Sequence, residues 1–158
     1  MKKISNHITY KEAVHSNTAL RLNIKNIPNN KEVSNMVIIA TQIFEPLREY
    51  AEGPIKINSM FRSKDLNRAI GGSISSQHCK GQAIDLDDTF GCKTNAEMFS
   101  YIKTNLNFDQ LIWEFGDSTN PNWIHVSYVS DDLNRNKILI AEKINGRTSY
   151  RSYEQETL

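Results

Sequence analysis

The chain has 158 residues, 39% hydrophobic and 23% charged, which suits one globular domain with a sizeable core of its own. Its 19 basic and 18 acidic residues nearly cancel, so a net charge of +1 offers no electrostatic footprint for nucleic acid or an acidic membrane surface. The opening Met1-Lys2-Lys3-Ile4-Ser5-Asn6-His7-Ile8-Thr9 has no apolar run behind its lysines, and no apolar stretch approaches the about 18 residues that span a bilayer. The expectation is a monomer that starts in the cytoplasm without a signal peptide, with Cys79 and Cys92 as free thiols.

The turn-rich Asn26-Ile27-Pro28-Asn29-Asn30 leads into the first strong periodic segment. Val33, Met36, Val37, Ala40, Ile43, Phe44 and Leu47 recur at helical spacing and predict an amphipathic helix over 31–50, with Asn30 as N-cap and Pro46 kinking or breaking it near its end. Residues 54–61 alternate and predict a strand. Residues 63–70 predict a short helix capped by Ser63 and stopped by Gly71-Gly72. Residues 73–82 are small and polar, hence a loop, and 83–87 alternate again.

Thr94 and Glu97 have capping-box spacing, and Met98, Ile102 and Leu106 form an apolar stripe, so 94–106 predicts a second helix. Strands are expected over 108–115 and 123–129, joined by the polar turn 117–122, and over 137–144. The remainder, 145–158, reads as a polar peripheral end. Helices segregated from hairpin-linked strands predict a single-domain α+β fold, a central antiparallel sheet with helices on one side.

The chemistry concentrates in two segments. In Ser76-Gln77-His78-Cys79-Lys80-Gly81-Gln82-Ala83-Ile84-Asp85, the strand alternation sends Ile84 and Leu86 to the core and Asp85 to the other face. His78 sits in the preceding loop, which Gly81 lets turn back tightly. In Trp123-Ile124-His125-Val126-Ser127, His125 lies on the face opposite Ile124 and Val126. Two imidazoles and one carboxylate are a common catalytic zinc set, so His78, Asp85 and His125 are the candidate metal ligands, with Cys79 left out because it points away if His78 points in.

Such a site needs a base. Glu114 is the candidate, because a charge inside the apolar run Leu111-Ile112-Trp113-Glu114-Phe115 calls for a reason and its strand is hairpin-linked to that of His125. Arg62, between a strand and a helix, is the candidate for holding a substrate carboxylate or a developing oxyanion. Ser76 and Gln77 are candidates for orienting the ligands or contacting substrate. Asp87 and Asp88 read as solvated carboxylates, and His7 and His15 fall outside the pattern. Trp113 and Trp123 read as core or pocket wall.

Taken together, these segments resemble the M15 peptidase family, the D-alanyl-D-alanine carboxypeptidase and dipeptidase group. Its Ser-x-His-x-x-x-x-x-x-Asp pattern is met by Ser76, His78 and Asp85, and its closing Trp-x-His by Trp123-Ile124-His125. Asn58-Ser59-Met60-Phe61-Arg62-Ser63 resembles the family's arginine-bearing segment. Phe108-Asp109-Gln110-Leu111-Ile112-Trp113-Glu114-Phe115 is similar to the branch found in phage and prophage proteins, and the similarity runs from about Ile8 to Tyr128.

The resemblance implies zinc on His78, Asp85 and His125, and hydrolysis of peptide bonds in peptidoglycan stem peptides. The bond would be D-Ala-D-Ala (carboxypeptidase) or L-Ala-D-amino acid (endopeptidase), as in an endolysin or another phage cell-wall hydrolase. One position departs from the pattern: several members place the catalytic glutamate three residues before the last histidine, where this chain has Asn122. Either Glu114 supplies the base or the chain lacks one. The alternatives are a non-catalytic zinc-binding structural or recognition module on the same scaffold, as in hedgehog-type domains, and a zinc amidase acting at the sugar–peptide junction.

Overall fold

The computed structural model describes residues 1–154. The chain opens with a two-stranded hairpin, β1 (Lys3–Ser5) and β2 (Ile8–Thr9), and two short helices, α1 (Tyr10–Val14) and α2 (Asn17–Leu22). None of these was expected, because each is too short to show a periodicity. Local chemistry holds them: Thr9 and Glu12 close a capping box on α1, and Ser16 caps α2.

The long helical segment is divided into α3 (Asn30–Ile39), a π-helical turn (Ala40–Phe44) and α4 (Glu45–Ala51). Its N-cap is Asn29 rather than the expected Asn30, because only Asn29 has Glu32 at the third helical position, where the reciprocal capping box closes. Pro46 explains the division. It has no N–H to donate, and its ring would strike a carbonyl of the preceding turn. The wide turn, in which the Glu45 N–H donates to the Ala40 carbonyl, moves those groups aside.

Six strands follow: β3 (Lys56–Ser59), β4 (Ala83–Asp87), β5 (Gln110–Glu114), β6 (Trp123–Ser127), β7 (Lys137–Ile144) and β8 (Arg147–Ser152). They form one sheet in the order β3-β4-β6-β5-β7-β8. All neighbours are antiparallel except β5 and β7, which pair in parallel because the chain passes from β6 beyond β5 to reach its far side. The fold is thus α+β with a mostly antiparallel sheet.

β8 occupies part of the segment whose composition predicts a polar peripheral end, and residues 155–158 lie outside the described residues. The overlooked signal is Asn145-Gly146. Both residues have positive φ, at 51° and 76°, as a two-residue type I′ hairpin turn requires.

Helix α5 (Lys64–Ala69) is capped by Ser63 and α6 (Asn95–Asn105) by Thr94 with Glu97, as their sequences predict. Asp87 and Asp88, expected to be solvated, instead accept hydrogen bonds from Asn95 at the start of α6, and Asp88 also accepts from Asn120. They tie the helix to the 117–122 turn. No helix among the described residues is long and apolar enough to cross a membrane.

The period of two along each strand decides where chemistry can occur. Ile84, Leu86, Leu111, Trp113, Ile124 and Val126 pack against α3, α4 and α6, meeting Met36, Ile39, Phe44, Leu47, Met98 and Phe99. Each fully buried aliphatic side chain of this kind contributes about 2 kcal/mol, so this face anchors the strands. The opposite face carries Asp85, His125 and Glu114 beside a small apolar group of Ile112, Leu139 and Ala141.

Candidate metal centre

His78 enters from a single 3-10 turn, Gln77–Lys80, ahead of β4. Gly81 ends that turn at φ 70°, and a Cβ there would overlap the Glu32 carbonyl oxygen of α3. Only glycine permits this close passage. The turn is pinned to the segment after β3 by the Arg62 N–H, which donates to the His78 carbonyl, and by His78 Nδ1, 2.7 Å from the Met60 carbonyl oxygen. A carbonyl only accepts, so Nδ1 carries the proton and Nε2 presents its lone pair to the site.

Asp85 and His125 are directly opposed in the β4–β6 ladder, and His125 Nδ1 lies 2.9 Å from Asp85 Oδ1. His78 Nε2 lies 3.3 Å from the same oxygen, yet it is buried and has no hydrogen-bond partner. The short separation is not a hydrogen bond. Burial lowers the His78 pKa and keeps the ring neutral, so two acceptors face each other. Burial opposes ionisation of Asp85 as well, but the hydrogen bond that His125 Nδ1 donates to Oδ1 holds its carboxyl below the usual carboxylate range.

A lone pair and an ionised carboxylate oxygen aimed at one point, with a second imidazole alongside, are what a divalent cation reconciles. One ligand atom from each of His78, Asp85 and His125 lies within 4.8 Å of the others. The residue types fit zinc.

Arg62 stands against the second oxygen of Asp85, its Nη2 3.7 Å from Oδ2, while its Nη1 donates to Asn67 Oδ1 at 3.1 Å. Asn67 is buried and anchored to the Ser73 carbonyl, so the guanidinium is braced. The Arg62 Nε is buried without a partner.

Glu114 lies diagonally across the β5–β6 ladder from His125 and is only 7% exposed. Burial pushes its carboxyl up to about 7, with the charge of Asp85 adding to the rise and those of His125 and Arg62 partly opposing it. Phe115, the next residue, sits at φ 58°. That is a strained conformation for a bulky side chain, of a kind that concentrates at functional sites.

These groups line one cleft of about 720 Å³. Ser76 and Gln77 line it too, but the Gln77 amide is occupied, donating to Asp109 Oδ2 at 3.0 Å. Asp109 is buried, and it accepts both Nε and Nη2 of Arg135. These hydrogen bonds hold its carboxyl below its ordinary range.

Trp123 forms part of the cleft wall, whereas Trp113 packs edge-on against Phe99 in the core. Cys79 and Cys92 are free, and Cys79 is not part of the converging His-Asp-His group. His7 pairs with Glu45 and His15 with Asn17.

Sequence reasoning overlooked the far wall of the cleft, where Arg135, Leu139, Thr148 and Tyr150 come from the loop after β6 and from the β7–β8 hairpin. A larger depression of about 1010 Å³ lies between α6 and that hairpin. Its charged side chains include Lys103, Lys143 and Arg151, and none of His78, Asp85 and His125 lines it.

No curated protein matches the chain. A family model described as Peptidase M15 matches residues 6–127, which spans Arg62, His78, Asp85, Glu114 and His125 together with the strands that bring them to one face. On this match, and on a His-Asp-His group, buried at His78 and half-buried at the other two, whose facing acceptors suit a metal, the chain belongs to the M15 peptidase family of hydrolases.

Proposed function

We propose that this protein is a zinc metallopeptidase that cleaves peptide bonds in bacterial peptidoglycan stem peptides, at D-Ala-D-Ala or at an L-Ala-D-amino-acid link. The observation that carries the zinc reading is the uncompensated approach of His78 Nε2 to ionised Asp85, with His125 completing the set. His78, Asp85 and His125 would hold the ion, which supplies Lewis acidity toward a water and a substrate carbonyl.

The chain's own residues supply the rest. Glu114, buried beside His125 with a pKa of about 7, is ionised in part of the molecules at neutral pH and protonated in the others. It can therefore take a proton from the attacking water and return it to the leaving amine. Asn122, where some members carry the base, lies outside the strand, and its N–H donates to the Glu114 carbonyl. Arg62 orients Asp85 and offers its remaining donors to a substrate carboxylate or to charge developing on the carbonyl oxygen. Ser76 contributes to the wall that the peptide meets.

The setting we infer is a phage or prophage wall hydrolase that acts as a monomer and is released by lysis or carried in a particle. The similarity of residues 108–115 to the phage-type branch supports it.

The test is mass spectrometry of purified peptidoglycan fragments after incubation with zinc-loaded protein, against a chelated control. A zinc-dependent product lacking terminal D-Ala, or split after L-Ala, is expected. A cut between sugar and peptide would make the protein an amidase. Unchanged fragments with one zinc bound per chain would make it a non-catalytic zinc module.

A further inference from the structure

Beyond the residues that the M15 match covers, the β7–β8 hairpin brings Tyr150 to the reacting side of the sheet. Glu114 pairs with Ala141, and Ala141 pairs with Tyr150, so the three stand in one cross-strand row on the cleft face. Neighbouring strands are about 4.8 Å apart, which puts the Tyr150 backbone roughly 10 Å from that of Glu114. The residue between them has only a methyl side chain, so nothing in the row stops the phenol from leaning over Ala141 toward Glu114.

Thr148, two residues earlier, lines the same cleft, while Arg151 points to the other side of the hairpin. The ring of Tyr150 is half exposed, which leaves it open to contact from a molecule in the cleft. Burial, together with the negative charge of Glu114 and Asp85, raises its pKa. The hydroxyl therefore keeps its proton at neutral pH and remains a donor.

We propose that Tyr150 is a substrate-binding residue, donating from its hydroxyl to a carbonyl oxygen of the bound peptide and packing its ring along the chain. The peptide would then lie between the hairpin and the His78-Asp85-His125 group, with its scissile bond at Glu114. This assignment rests on the peptidase reading of the cleft, and it makes the C-terminal hairpin, rather than the ligand-bearing strands, the element that selects substrate.

The test uses zinc-loaded full-length parent, Tyr150→Phe, Tyr150→Ala and, as a hairpin control on the opposite side, Arg151→Ala. Hydrolysis of a soluble stem pentapeptide is measured, and calorimetry follows binding of the same peptide to the Glu114→Gln form with and without Tyr150→Phe. Loss of one hydrogen bond is expected to raise KM and weaken binding roughly tenfold in Tyr150→Phe, with kcat within about twofold and zinc content unchanged. Tyr150→Ala, losing the ring as well, is expected to be weaker still, and Arg151→Ala to match the parent.

Parent-like KM and affinity in both Tyr150 variants would overturn the assignment. Peptide binding that depends on Tyr150 without turnover by the parent would retain the assignment and refute the peptidase reading. Failure of the peptide to bind any form would overturn both.

Discussion

Replacing Glu114 by glutamine separates the catalytic role proposed for this carboxylate from what it costs the fold. The carboxyl is 7% exposed and has its pKa raised from 4.5 to about 7 by burial. A carboxyl whose folded pKa exceeds its unfolded value binds more protons in the folded state, so the folded state loses stability as pH rises between the two values. The loss is absent below about 4.5 and complete above about 7. A difference of roughly 2.5 units at 1.36 kcal/mol each sets an upper bound of about 3 kcal/mol.

Glutamine keeps the shape and removes the charge, but its amide must also be desolvated. The variant is therefore expected to exceed the parent by about 1–3 kcal/mol at pH 8 in chelator-treated protein, and to match it near pH 4.5. For a chain of this size that is a gain of about 3–9 °C in Tm. The zinc-loaded variant is expected to bind one zinc yet to hydrolyse peptide about 10²–10⁴-fold more slowly. Urea denaturation at the two pH values, beside product formation on peptidoglycan fragments, gives both readouts. Equal midpoints at pH 8 would refute the burial argument, and undiminished turnover would remove Glu114 as the base.

Three further perturbations address other parts of the site. His125→Ala leaves two of the three proposed ligands, and zinc affinity measured by competition with a chromogenic chelator is expected to fall at least about 100-fold; full occupancy would exclude His125 from the set. Gly81→Ala places a methyl group against the Glu32 carbonyl at positive φ, so chemical denaturation is expected to show a loss of about 2 kcal/mol or more, with weaker zinc binding because the His78 turn must shift. Asp109→Ala strips Arg135 and Gln77 of a shared buried partner; Arg135 stays solvated, so the cost is that of lost charge-assisted hydrogen bonds, and a loss of about 1–3 kcal/mol is expected at pH 7. Because the Asp109 pKa is lowered on folding, that contribution in the parent is present above the unfolded value and fades as pH falls through the lowered one, so the two proteins should converge in acid.

Elements with strong periodicity or closed capping chemistry were legible in the chain. The capped helix α6, the Ser63 cap of α5 and the alternation in β4 and β6 all appear as their residues dictate. The division of the long helix was legible in part, because Pro46 announces a break but not the π-turn that absorbs it. The N-terminal elements and β8 escaped because their order comes from caps, a two-residue turn and pairing with a neighbour, none of which depends on apolar periodicity.

Within the site, the sequence by itself determined the residue types and the side of each strand they occupy. An alternating pattern commits Asp85, His125 and Glu114 to the face away from Ile84, Ile124 and Trp113 before any contact is known. Only the tertiary structure decided which residues meet. Strand order sets Asp85 directly opposite His125, the Met60 carbonyl aims His78 Nε2, and burial raises the Glu114 pKa. It also sets Arg62, braced by Asn67, against Asp85, and brings in Tyr150 from a segment whose composition predicts a polar end. The physical reason is range: alternation acts over neighbouring residues of one strand, whereas register, desolvation and the orientation of a ring nitrogen depend on groups tens of positions away in the chain.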